Sequence, residues 1–122
     1  MFKIVIAEDN VVSAMELTEC LNTTGCQVTG VATSGQEAVE LTSSIKPDLL
    51  LMEIMMPGPM DGIAAAEYIR TNCDVPILFV NGDADKAILQ RAKNLSCRDH
   101  IRKPFRREDV EEAIRSVLKV SQ

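Results

Sequence analysis

Short apolar runs of strand length alternate with stretches of helical period along this chain of 122 residues, and nothing else in it constrains the fold as tightly. Phe2 to Ala7 is a strand-length run. From Asn10 to Thr24 the period becomes helical, with Ala14, Leu17, Thr18 and Leu21 on one face and Gly25 closing the helix. Val28 to Ala32 reads as a second strand. Ser34 and Glu37 then form a capping box, in which Glu37 reaches back over the start of a helix buried along Ala38, Leu41, Thr42 and Ile45 and stopped by Pro47. Leu49 to Met52 is apolar without alternation, as befits a central strand covered on both faces.

The second half repeats the pattern. Asp61 caps a helix running to about Asn72, and the turn Asp74-Val75-Pro76 leads into a strand from Ile77 to Val80. Asn81-Gly82-Asp83 forms a loop. A helix follows from about Asp85 to Leu95, then a short strand near His100 and Ile101. The last helix starts near Arg106 and buries Val110, Ala113, Ile114, Val117 and Leu118. Five strands alternating with five helices predict an α/β sandwich around a parallel sheet with right-handed crossovers. Ligands of such sheets bind at the carboxyl ends of the strands. With no repeat or linker, residues 1–122 read as one stand-alone domain, in which no effector segment follows the last helix.

Composition narrows the function classes. The net charge of −5, with no basic stripe, argues against direct nucleic-acid binding. No apolar run is long enough to cross a bilayer and no signal peptide is evident, so the expected location is the cytoplasm. Cys20, Cys26, Cys73 and Cys97 form no C-x-x-C pair and suit no common zinc site; they read as buried or half-buried thiols.

The residues at the predicted strand ends carry the chemistry. Glu8 and Asp9 follow the first strand, Glu53 ends the third, Asn81 and Gly82 end the fourth, and Lys103-Pro104-Phe105 follows the fifth. Acids in such places also serve as helix caps, a role open to Asp9 or Asn10. In this order, and with Met60-Asp61-Gly62, the set resembles the receiver domain of two-component response regulators (the CheY-like family) over essentially the whole chain. The resemblance implies a flavodoxin-like three-layer fold with strand order 2-1-3-4-5 and a role in phosphorelay signalling by protein–protein contact.

It also implies site roles. Asp9 would bind Mg2+ directly, Glu8 mostly through water, and the backbone carbonyl of Met55 would be a third ligand. Glu53 would hold the phosphoacceptor position, and Lys103 would pair with phosphoryl oxygens. Carboxylates so close together repel one another, and a divalent cation or the lysine relieves this. Implied partners are a sensor histidine kinase, or another signalling protein, and a downstream protein target. The face around the fourth helix, fifth strand and fifth helix would dock the target. A monomer or weak homodimer through the last helices is expected, although Arg106, Arg107, Glu108 and Glu111 also read as a solvated face.

Three positions depart from the family pattern. Glu53 stands in place of the acceptor aspartate, Asn81 in place of a Thr or Ser, and His100 where an aromatic switch residue is common. The added methylene of Glu53 moves its carboxylate by about 1.5 Å. Misplacement by about 1 Å can cost roughly 10²-fold in an in-line attack, so phosphorylation of Glu53 is expected to be slow or absent. The longer side chain can instead pair directly with Lys103. His100 reads either as a half-exposed strand residue or as a pH-sensitive surface position. Alternatives are a working phosphoacceptor that uses Glu53 and a Mg2+-dependent phosphatase-like enzyme of similar fold. The latter lacks a second acid two residues beyond Glu53, where Met55 stands, and a candidate general acid.

Overall fold

The computed structural model describes residues 1–82, 86–93, 95 and 100–118. Its strands are β1 (Phe2–Ala7), β2 (Cys26–Ala32), β3 (Leu49–Glu53), β4 (Ile77–Asn81) and β5 (His100–Arg102). Between and after them run α1 (Val11–Asn22), α2 (Gly35–Ile45), α3 (Gly62–Asn72), α4 (Lys86–Lys93) and α5 (Arg107–Leu118). The strands form one parallel sheet in the order β2-β1-β3-β4-β5, the expected flavodoxin-like arrangement. Asp83, Asp85, Cys97 and Gln122, which enter the sequence reading, lie outside the described residues.

The apolar runs alternate across the sheet. Leu50, Met52 and Phe79 join the core under α2 and α3, whereas Leu49, Leu51, Leu78, Val80 and Ile101 join the core under α1 and α5. Both faces of β3 are covered, which is why its sequence shows no polar alternation. β2 begins at Cys26 rather than Val28, because Phe2 and Lys3 extend the parallel ladder to Cys26 and Gln27. Its register slips between Ile4 and Val5, and Thr29 Oγ1 donates to the Ile4 carbonyl at 3.2 Å beside the slip. Cys20 and Cys26 are buried free thiols and Cys73 is half-buried, as their spacing suggested.

Helix starts follow the sequence closely. Asn10 caps α1 by accepting from Ser13 N–H at 2.9 Å, and Asp61 caps α3 by accepting from Ala64 N–H at 2.8 Å. Ser34 caps α2 by accepting from Glu37 N–H at 3.1 Å. Glu37 does reach back, but to the Thr33 N–H at 2.8 Å, one residue before the cap position of a standard capping box.

Helix ends are less orderly. α1 stops at Asn22 with Thr23 as its cap, two residues before the predicted end; Gly25 takes its left-handed φ of 77° beyond the helix. α2 ends on Lys46, itself left-handed at φ 53°, immediately before Pro47. No helix among the described residues is long and apolar enough to cross a membrane.

Candidate functional site

Sheet register gathers the site. Ala7 pairs with Met52, so Glu8 follows β1 beside Glu53 at the end of β3. Val80 bridges Glu53 and Ile101, which places Lys103 two residues beyond the same row. Ladder bonds continue past the strands: Glu8 N–H donates to Ala32 O at 2.8 Å, Ile54 N–H to Val80 O at 3.1 Å, and Lys103 N–H to Asn81 O at 2.7 Å. The strand period of two does the rest. Glu8 continues the Ile4–Ile6 row, Glu53 the Leu49–Leu51 row, and Lys103 follows Ile101, all on the α1/α5 face.

The three side chains meet there. Lys103 Nζ lies 2.6 Å from Glu53 Oε1 and 2.6 Å from Glu8 Oε1. The remaining oxygens are also engaged, Glu53 Oε2 accepting from Ile54 N–H at 2.9 Å and Glu8 Oε2 from Asn10 N–H at 3.2 Å. Glu8 is 2% exposed and Glu53 7%. Burial pushes the Glu53 carboxyl above its ordinary 4.5, and the hydrogen bond and charge of Lys103 pull it back only in part. Burial also works against the Lys103 charge. Its hydrogen bonds to Glu53 and Glu8, with their charges, together outweigh that and raise its pKa above 10.5. One ammonium between two buried carboxylates leaves a net negative charge, so the lysine stays charged while Glu53 becomes easier to protonate.

The other expected site residues lie around this cluster rather than in it. Asp9 is exposed, and the cap of α1 falls to Asn10. Asn81 is 3% exposed and ends β4. Its side chain makes no hydrogen bond to Glu8, Glu53 or Lys103 among the described residues. Its Oδ1 is buried without a partner among the described residues. Met55 lies in the loop after Glu53 with its side chain exposed. His100 is exposed at the start of β5, opposite Phe79.

The backbone also shapes the site. Gly62 begins α3 directly against the end of β3, with its N–H donating to Ile54 O at 2.8 Å; a Cβ there would overlap the Glu53 carbonyl oxygen. The backbone donors of Ile54 and Asn10 to the carboxylates were invisible to sequence reasoning, since any non-proline residue supplies an N–H.

Residues 4–115 match the response regulator receiver domain. The chain belongs to this family. As a receiver it is 37% identical over 112 residues to the transcriptional regulatory protein PdtaR of Mycobacterium tuberculosis, covering 92% of this chain but 54% of PdtaR. It thus spans about half the length of that relative. It is 33% identical over 118 residues to the chemotaxis protein CheY of Thermotoga maritima, covering 96% of this chain and 98% of CheY. Its fold superposes with a TM-score of 0.90 on the signal receiver domain of a modulated diguanylate cyclase from Desulfovibrio desulfuricans G20, at 29% identity and covering 98% and 94% of the two chains. Receiver domains are signalling modules of two-component systems and generally bind Mg2+ at the phosphorylation site.

The donor chemistry of this receiver suits that ion, since carboxylate oxygens are hard ligands. The arrangement does not. Among the described residues no three His, Cys, Asp or Glu side chains converge into a metal-holding group. Glu8 and Glu53 both turn an oxygen to Lys103, and Asp9 is exposed.

Proposed function

We propose that this receiver signals by protein–protein contact in a state set by the Glu53–Lys103 ion pair rather than by phosphorylation. The observation that carries the reading is the 2.6 Å contact between Lys103 Nζ and Glu53 Oε1, with the second Glu53 oxygen held by Ile54 N–H. A nucleophilic carboxylate needs an oxygen free and aligned for in-line attack. Glu53 has both oxygens bonded, and the lysine that would neutralise an incoming phosphoryl group already serves it. Glu53 acts here as a partial stand-in for a phosphoryl group, bringing one charge and two oxygens against about two charges and three oxygens.

Asn81 carries no hydroxyl, and His100 is exposed; both favour a site without the usual hydroxyl–aromatic switch. The partners are a sensor kinase or another signalling protein and a downstream protein that docks around α4, β5 and α5. Relatives named for transcription, chemotaxis and sporulation carry the same domain, so output lies in what docks rather than in the fold.

Intact-protein mass after incubation with acetyl phosphate and Mg2+ tests the proposal. The parent is expected to gain no phosphoryl group, whereas Glu53→Asp does. A hydroxylamine-labile adduct on Glu53 of the parent would show a working acceptor and overturn the reading.

A further inference from the structure

We propose that the groove between α1 and the edge strand β2 docks a basic amphipathic helix of a partner protein. Its walls are Val11, Met15 and Thr18 of α1, with Val31 and Thr33 at and just beyond the end of β2. Val11 is 70% exposed, Met15 60% and Val31 42%, so three large apolar side chains stand in solvent around one groove. Apolar side chains grouped in this way, and rimmed by polar ones, mark interaction sites, whereas scattered ones do not. The groove is distinct from the mouth of the acidic site. Ser13 and Glu16 stand on the other flank of α1 and line a cleft with Gly82, Lys103 and Phe105. An occupant of the groove leaves that cleft open, so the proposal holds whether or not Glu53 accepts phosphate.

Charge selects the occupant. Between Lys3 and Lys46 the chain carries no lysine, arginine or histidine, while Glu8, Asp9, Glu16, Glu19, Glu37 and Glu40 all fall there. Glu8 is held by Lys103, but the groove's other two acids, Asp9 and Glu19, are exposed and have no cationic partner among the described residues. Apolar walls with an acidic rim complement apolar anchors flanked by lysine or arginine. The same rim repels a second copy docked face to face, a phosphate backbone and an anionic bilayer. Backbone geometry selects a helix over an added strand. β2 is the sheet edge, but Ile4 pairs with Val28 and Val5 with Gly30, so Thr29 bulges and breaks the even row of groups that a new strand needs. Val11 to Thr18 spans about 10 Å along α1, which about two turns of a partner helix match with anchors three or four residues apart.

The probe is a capped peptide of about 15 residues, long enough to form a helix, with leucines at i, i+4 and i+7 and lysines on its other face. It is titrated to millimolar concentration into 15N-labelled protein, beside a control peptide that carries glutamate in place of lysine. Saturable amide shifts are expected at Val11, Met15, Thr18, Val31 and Thr33, weakening severalfold as NaCl rises from about 50 to 500 mM. The glutamate peptide is expected to shift none of them. Met15→Gln removes an apolar anchor at an exposed position and should weaken binding by roughly tenfold. Glu19→Lys reverses one rim charge and should weaken it by roughly fivefold. Three results overturn the proposal: no saturable shift, equal binding of the glutamate peptide, or shifts centred on Ser13, Gly82 and Phe105. Unchanged affinity in both folded variants overturns it as well.

Discussion

Lys103 Nζ sits 2.6 Å from Glu53 Oε1 across 50 residues of sequence, and the same ammonium is 2.6 Å from Glu8 Oε1. Both carboxylates are buried and the lysine side chain is 23% exposed, so the cluster opens to solvent only on the cationic side. Such a pair matters most when one partner is removed, because the charge left behind stays buried.

Lys103→Met is therefore expected to cost about 3 kcal/mol, the low end for a broken buried pair because the ammonium is partly exposed. Urea unfolding followed by far-ultraviolet circular dichroism measures it. Adding Glu53→Gln should restore part of the loss, since one of the two stranded charges disappears. A double variant less stable than the sum of the singles would contradict the pairing.

The pH dependence of stability has an unusual sign at Glu53. Its pKa is raised, so just above pH 4.5 the native state holds more protons than the unfolded chain, and stability falls as pH rises through that window. On acidification towards 4.5 the parent should gain stability relative to Glu53→Gln. Lys103, raised above 10.5, contributes fully below 10.5, and its contribution is lost as pH climbs through the folded value. Urea midpoints of parent and variant across both windows test the two signs. A parent that loses ground to Glu53→Gln on acidification would refute the first.

Gly62→Ala should destabilise, although Ala is ordinarily better than Gly in a helix by about 0.5–1 kcal/mol. The new methyl would overlap the Glu53 carbonyl oxygen, and the Gly62 N–H to Ile54 O bond at 2.8 Å holds the two segments together. The expected cost is about 1–3 kcal/mol of overpacking, with a shifted Ile54 amide resonance. A neutral or stabilising outcome would show that α3 does not press on β3 as described.

Lys46→Gly should act in the opposite direction. Lys46 ends α2 at φ 53° and ψ 62°, where a Cβ is strained and glycine is not. A gain of about 0.5–1 kcal/mol is expected, less than the full left-handed penalty because glycine also loses more backbone freedom on folding. Thermal or urea midpoints read it directly.

Much of this fold is legible in the sequence. The alternation of periods was enough for five strands and five helices, because a sheet covered on both faces demands unbroken apolar strands such as Leu49–Met52. Ser34 and Asp61 were legible as caps because their short polar side chains have few other local uses at a helix start. Left-handed Lys46 was not legible, since its conformation follows from how α2 meets Pro47 and β3 rather than from any preference of lysine. Nor was the division between Asp9 and Asn10: either can cap α1, and the choice of Asn10 leaves Asp9 exposed.

The sequence by itself determined the order of elements, the family, and which acids and which lysine stand at strand ends, because periodicity and capping are local and repeat along the chain. Only the tertiary structure decided how those ends combine. Register set Glu8 beside Glu53 and brought Lys103 to meet both. Which carboxylate oxygen meets Nζ and which meets a backbone N–H depends on contacts between residues 50 and 95 positions apart, and on one methylene of reach. Those are distances in space, and the chain acquires them only when the sheet closes.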